Sequence, residues 1–341
     1  MTYQKSHYYT KSRSRTALCG HTSSTVRIGN PLQIRCARLV PNAVGYTNRD
    51  MPQEFRLIGV PFEATDGTAN INKVMPYQSA IEIDWETESD EEFMNSFMPV
   101  ATQIQLQRIE DDAMGDEGTY QSYWYVSNAF YQWGEGDDDY NFIPGWCDAG
   151  GVYADPGQTE DYPGELIPGV ALWFKDPEHA EPPTFTAAGA VIMDDVEIDC
   201  SAEFRLRAEG HPVVTKLNSS NIVFTGIDET TEINWETESD EEFMNSFMPV
   251  APQIQIQRLV DDAMGDEGTY QSYWYVSNAF FQWGEGDDDY NFIPGWCDAG
   301  GVYADAEQTE DYPGVIGVNA GFWTKGVKSP FKMKFKLNAA K

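Results

Sequence analysis

Two carboxylate-rich segments carry the first chemistry this sequence offers. "DDAMGDEG" (111–118) and "GEGDDDY" (134–140) set Asp111, Asp112, Asp116, Glu117, Asp137, Asp138 and Asp139 among glycines. The same letters return at 261–268 and 284–290, supplying Asp261, Asp262, Asp266, Glu267, Asp287, Asp288 and Asp289. Hard oxygen donors on loops that glycine lets turn sharply suit Ca2+, which accepts several oxygens in adaptable geometry. The spacing departs from the EF-hand loop, which needs a glycine midway and a closing glutamate. Calcium is the one cofactor these residues suggest, and a solvated acidic surface is the competing expectation.

Aromatic residues supply the second chemistry. In "YQSYWYVSNAFYQW" (120–133) an extended chain puts Tyr120, Trp124 and Val126 near one face and Tyr123 and Tyr125 on the other. Tyr123, Tyr125 and Trp133, with their copies Tyr273, Tyr275 and Trp283, are candidates to stack on a sugar ring or a neighbouring subunit. A second covering layer is the plainer expectation for aromatics on both faces of a strand.

Catalytic chemistry is poorly represented. The four histidines, His7, His21, His179 and His211, have no repeated counterparts. No GxSxG, HExxH, phosphate-binding or dinucleotide-binding pattern occurs. Paired carboxylates abound, but with 55 Asp and Glu they arise by chance. The expectation is a protein that is not an enzyme. Cys19, Cys36, Cys147, Cys200 and Cys297 contain no CxxC, and an odd count cannot pair fully within one chain. Buried free thiols are expected, with a Cys36–Cys200 or inter-subunit disulfide as the alternative.

The elements behind these residues occur twice. Residues 85–164 align with 235–314 without a gap and differ at only seven positions: 102, 106, 109, 110, 131, 156 and 157. Weaker likeness, "EFRLIGVPF" with "EFRLRAEGH" and "ALWFKD" with "GFWTKG", extends each unit to domain size. "TQIQLQRI" alternates Ile104 and Leu106 with glutamines, a half-buried strand, and "TYQSYWYVS" follows as its hairpin partner. "GVALWF" and "TFTAAGAVI" are further strands. Ser89 with Glu92 forms a capping-box pattern, so short helices are predicted over 90–98 and 240–248. The predicted fold is mainly β: two tandem homologous β-sandwich-like domains, each with one short helix, plus an N-terminal extension. Predicted boundaries are 1–50 for a basic arm, 51–200 for the first domain and 201–341 for the second.

Charge is segregated along the chain. The formal net charge is −33, yet residues 1–49 hold eight Lys or Arg and no acid, and 325–341 hold six Lys and no acid. Nucleic acid is not an expected partner of the acidic body, which would repel phosphates. "FKMKFKL" alternates Phe331, Met333, Phe335 and Leu337 with Lys332, Lys334 and Lys336. The plainer expectation is an edge strand whose lysines guard against unwanted pairing. The alternative makes Phe331, Phe335 and these lysines the candidate self-assembly residues, on a strand that completes a sheet of its own chain or of a neighbour. No apolar run spans a membrane, and the N-terminus lacks the apolar core of a signal peptide.

"EFRLIGVPFEATDGTANINKV", "IQLQRIEDD", the Gly145–Trp146 pair, "LIPGVALWF" and "FTAAGAV" together resemble a loosely defined class of repetitive β-rich proteins of Planctomycetes–Verrucomicrobia–Lentisphaerae bacteria. The resemblance covers most of 45–192 and again 203–325. It implies a surface or secreted protein, hence an extracellular location, and brings no catalytic residues with it. The absence of a visible signal peptide departs from that pattern. The expected function is a self-assembling structural protein, a filament, sheath or surface-layer subunit whose partners are other copies of itself. A carbohydrate-binding module and a viral or compartment shell protein are the alternatives.

Overall fold

The computed structural model describes residues 44–50, 54–68, 70–108, 116–136, 139–177, 184–258, 266, 268–284, 286 and 289–337. The first half contains β1 (Val44–Asp50), β2 (Arg56–Gly59), β3 (Phe62–Glu63), the single turn α1 (Ile71–Val74), α2 (Asp90–Phe97), β4 (Thr102–Gln107), β5 (Tyr120–Gln132), β6 (Tyr140–Cys147), β7 (Ala171–Lys175) and β8 (Thr184–Val191). The second contains β9 (Val196–Cys200), β10 (Arg205–Ala208), β11 (Thr215–Lys216), β12 (Ile222–Thr225), α3 (Asp240–Phe247), β13 (Gln253–Gln257), β14 (Tyr270–Gln282), β15 (Tyr290–Cys297), β16 (Val315–Ile316), β17 (Gly321–Lys325) and β18 (Phe331–Phe335).

Each half is an antiparallel two-sheet sandwich. In the first, a three-stranded sheet ordered β1-β8-β3 faces a five-stranded sheet ordered β2-β7-β4-β5-β6. The second repeats this as β9-β18-β12 against β10-β17-β13-β14-β15, with β11 and β16 forming a small extra ribbon. Successive early and late strands alternate between sheets, which is jelly-roll order. The sixth strand differs, staying paired to the fifth as a long hairpin. A bulge between Val126 and Ala129, repeated at Val276 and Ala279, bends that hairpin.

Three kinds of contact cover the large sheets. Inward residues such as Ile104, Tyr123, Trp146 and Phe174 pack on Phe62 and Phe185 of the small sheet. On the outer face of β5, Trp124 and Val126 pack beneath Phe97 of α2 and Ile83. The helix begins where predicted, with the Ser89 hydroxyl accepting from the Glu92 N–H at 3.2 Å. Over β2 and β7, the outer face is covered by the other half, through Leu57, Ala171, Leu206 and Ala208.

This last contact is reciprocal. The Gln107 side-chain amide oxygen accepts from the Leu206 N–H at 2.7 Å, and that of Gln257 from the Leu57 N–H at 2.8 Å. Gly59 donates to the Asn319 carbonyl at 3.0 Å and Ala208 to that of Gly169 at 2.8 Å. Reciprocity of this kind defines an isologous, approximately twofold interface. Residues on the axis meet their own counterparts: Trp173 lies 6.3 Å from Trp323. A β-carbon on Gly59 would come 2.5 Å from that of Ala208, and one on Gly321 2.9 Å from that of Ala171.

Three expectations need correction and a fourth is met. Residues 44–50 form β1, paired with β8, so the first sandwich begins before the predicted boundary at 50. Residues 196–200 form β9 of the second sandwich, not the end of the first, because β9 pairs with β18. The C-terminal strand is not an edge: β18 lies between β12 and β9 of its own half. The expectation of buried free thiols holds for Cys147, Cys200 and Cys297. Burial pushes the Cys200 thiol up to about 11, and Cys36 lies outside the described residues.

Candidate interaction surface

The β5–β6 hairpin outruns the helix that covers its first part. Its far end is closed by the Trp133 N–H donating to the Asp139 carbonyl at 2.9 Å. There the register places Phe130 opposite Phe142 and Gln132 opposite Tyr140. The rings of Phe130 and Tyr140 stand 5.3 Å apart, those of Tyr140 and Phe142 5.6 Å, and Trp85 lies 5.2 Å from Phe142. Edge-on and offset contacts at such spacings are favourable. Yet the cluster is left open: Phe142 is 46% exposed, and Tyr140 and Trp133 are exposed too.

Local bonds fix the cluster's base. The Asn128 side chain accepts from Ile83 N–H at 2.7 Å and donates to the Ile83 carbonyl at 2.9 Å, holding segment 81–85 against β5. The Trp85 indole donates to the Asn128 carbonyl at 3.1 Å. Gly151 adopts φ +76° beneath this indole, and a β-carbon there would approach the ring to 2.7 Å. Only glycine combines that backbone with that clearance. The second half repeats every feature with Trp235, Phe280, Tyr290, Phe292 and Gly301.

The cluster borders a sheet edge. Antiparallel ladders alternate bonded and non-bonded pairs, so the Trp133–Asp139 bond leaves the backbone groups of Tyr140 and Phe142 directed away from β5. No backbone partner meets them among the described residues. Farther along the edge, Asn72 caps both backbone groups of Trp146, at 2.7 Å and 3.1 Å. Pro144 between them has no N–H to offer.

The surrounding charge has one sign. Each repeated eighty-residue unit holds eighteen carboxylates and a single cation, Arg108 or Arg258. Both arginines are buried. Asp84, Glu86 and Glu88 are exposed beside Trp85, and Glu135 is exposed at the hairpin turn.

Among the described residues, those expected to bind calcium have separate partners. The Glu117 carboxylate accepts from Arg205 Nε at 2.8 Å, across the interface between the halves. Asp139 and Asp289 brace their own turns, accepting from the Gly136 and Gly286 N–H groups at 3.0 Å. The backbone carbonyls of Asp116 and Asp266 accept from the Thr119 and Thr269 hydroxyls, each at 2.6 Å. Asp111, Asp112, Asp137, Asp138, Asp261, Asp262, Glu267, Asp287 and Asp288 lie outside the described residues. Among the described residues, no group of three or more His, Cys, Asp or Glu is arranged to hold a metal.

The stacking candidates divide. Tyr123, Tyr125 and Tyr273 are buried and Tyr275 packs on the core, so these four face the sandwich interior and cannot stack on a ligand. Trp133 and Trp283 do stand in solvent, at 60% and 61% exposure. The assembly candidates are absorbed by the chain's own fold. Phe331 and Phe335 are core residues. Lys332 pairs with Glu197 at 2.9 Å and Asp199 at 3.3 Å, and Lys334 with Asp195 at 3.7 Å, all on or beside β9. Lys336 extends the β18–β12 ladder through its backbone N–H, which donates to the Asn221 carbonyl at 2.8 Å.

The open cluster itself was not singled out by the sequence reading. Its signal was the alternation of Tyr140 and Phe142 about Asn141 in "YNFIPGW", an aromatic face on an edge strand. Trp85, 45 residues before Phe130, joins that face only through the Asn128 clamp. No family model, curated protein or solved structure matches this chain.

Proposed function

We propose that this protein is a self-assembling structural subunit, each chain offering two equivalent faces to other copies. The observation that carries this reading is the pair of open aromatic clusters, one per half, related by the approximate twofold axis. Contiguous exposed apolar groups on a soluble surface mark sites of association. Two such faces make the chain bivalent, and bivalent subunits that meet through unlike surfaces build extended or closed assemblies according to whether the rotation closes. Jelly-roll sandwiches occur in shell subunits and in sugar-binding domains alike, so the fold by itself selects neither.

Sedimentation and negative-stain electron microscopy of the full chain over a range of concentrations test the proposal. Ordered fibres or closed particles are expected. The Tyr140→Ser, Phe142→Ser, Tyr290→Ser, Phe292→Ser variant should remain monomeric with an unchanged far-ultraviolet spectrum. Monomers of the unaltered chain at every concentration would overturn the reading. The exposed indoles of Trp133 and Trp283 favour one second reading, binding of carbohydrate by ring stacking. Quenching of their fluorescence by soluble oligosaccharides would support it.

A further inference from the structure

We infer that the N-terminal segment of a neighbouring copy docks on the open aromatic cluster, its cations set among the cluster's carboxylates. This rests on the assembly reading above and names the partner of the same site. A face that is aromatic at its centre and acidic at its rim selects a ligand of two properties. It must present cations, for salt bridges with Asp84, Glu86, Glu88 and Glu135 and for cation–π contact with Tyr140 and Trp85. It must also present apolar or aromatic groups to cover Phe142.

Within this chain the N-terminal block 1–49 has both, with its aromatics and cations concentrated at its start. Residues 1–18, "MTYQKSHYYTKSRSRTAL", hold Lys5, Lys11, Arg13 and Arg15 with no carboxylate, interleaved with Tyr3, Tyr8 and Tyr9. The chain's other basic block is committed elsewhere: Lys332 and Lys334 pair with β9, and Lys328 pairs with Asp228 at 2.7 Å. The repeated units have no exposed cation of their own to neutralise a cluster in a neighbour, since Arg108 and Arg258 are buried. Cluster-to-cluster contact between copies would set carboxylate against carboxylate, which is repulsive. The outward backbone groups of Tyr140 and Phe142 offer an extended segment a short stretch of strand addition, which Pro144 stops.

A synthetic peptide of residues 1–18, titrated into the full-length chain, tests the inference. Calorimetry should find two sites per chain, the first the tighter, because the clusters share their aromatic residues but the second has Asn234 where the first has Asp84. Phe142→Ser with Tyr140→Ser should leave one site, and the fourfold serine variant none. Affinity should fall at least tenfold between 50 mM and 500 mM salt, and a peptide with its four cations replaced by Gln should not bind. No binding, or equal binding by the fourfold variant, overturns the inference. So does capture of the peptide by a dT20 oligonucleotide with no binding to the chain, which would assign the segment to nucleic acid. The assembly reading is scored separately: particles that form while the peptide neither binds nor competes leave that reading standing and this inference refuted.

Discussion

At the scale of single residues, the halves differ most sharply where one core is apolar and the other is charged. Val60 and Phe62 are buried in the first sandwich. Their counterparts after β10 are Glu209 and His211, also buried, with His211 Nδ1 3.4 Å from the Glu209 carboxylate and Nε2 2.9 Å from the Asp194 carbonyl. Burial pushes the Glu209 carboxyl up, against the His211 ring and Thr215 hydroxyl, which favour its ionised form. Burial works to lower His211, but Glu209, the Asp194 carbonyl and nearby Asp195 outweigh it, and the net direction is up. A buried ion pair replaced by well-packed apolar groups is often neutral or stabilising by about 1–4 kcal/mol, whereas removing one partner costs about 3–5 kcal/mol. Glu209→Val with His211→Phe, the residues of the first half, should therefore match or exceed the parent in urea unfolding. His211→Phe alone should lower stability. Both groups hold protons more tightly folded than unfolded. The contribution of His211 is thus complete below its ordinary value of 6.5 and is lost as pH rises through the raised one. The double variant should gain on the parent as pH increases from 6 to 8. A constant difference in melting temperature across that range would exclude this linkage.

At the scale of elements, the last strand behaves opposite to a detachable tail. Phe331, Met333 and Phe335 of β18 fill the second core, and the strand bonds to β12 on one side and β9 on the other. Deleting 331–341 should unfold the second sandwich outright, seen as loss of about half the cooperative unfolding signal, because it removes three core side chains and two ladders. Lys332→Gln should cost under about 1 kcal/mol, as exposed ion pairs contribute little. A truncated chain that keeps both transitions would refute the central placement. The alternation of this strand is legible in the sequence, whereas its place in the sheet stays open there. Period-two patterning fixes which face is buried, but lysines opposite that face suit an edge strand and an exposed face of a central strand equally well.

At the scale of the whole molecule, the two halves behave as a dimer joined in one chain. Positions on the twofold axis of a true homodimer must carry the same residue twice. Here they have diverged into complementary pairs, Gly59 against Ala208 and Gly321 against Ala171, so that one methyl occupies space too small for two. Gly59→Ala should lower stability by about 1–3 kcal/mol, the usual cost of overpacking, and Ala208→Gly in the same chain should restore most of it. Failure of that rescue would show that the loss arises within β2 and not at the axis. Arg205→Ala should be costlier than an ordinary surface change, since it removes a buried side chain that bonds Glu117 across the same interface.

The sequence by itself determined the repeat, the strands at 102–107, 120–132 and 171–175, the capped helices and the alternating faces of β18. These follow from local rules: side-chain period, capping and turn residues act within a few positions of one another. It did not determine which aromatics face solvent. Tyr123 and Trp133 lie in one strand-forming run, yet one is sealed between sheets and the other stands beyond the reach of α2. Nor could it separate Glu117, which closes the interface with Arg205, from the acidic residues around it. Burial depends on what arrives from far along the chain. The helix, the small sheet and the opposite half are each laid on the large sheet by tertiary packing, and the aromatic cluster is the part of that sheet they leave uncovered.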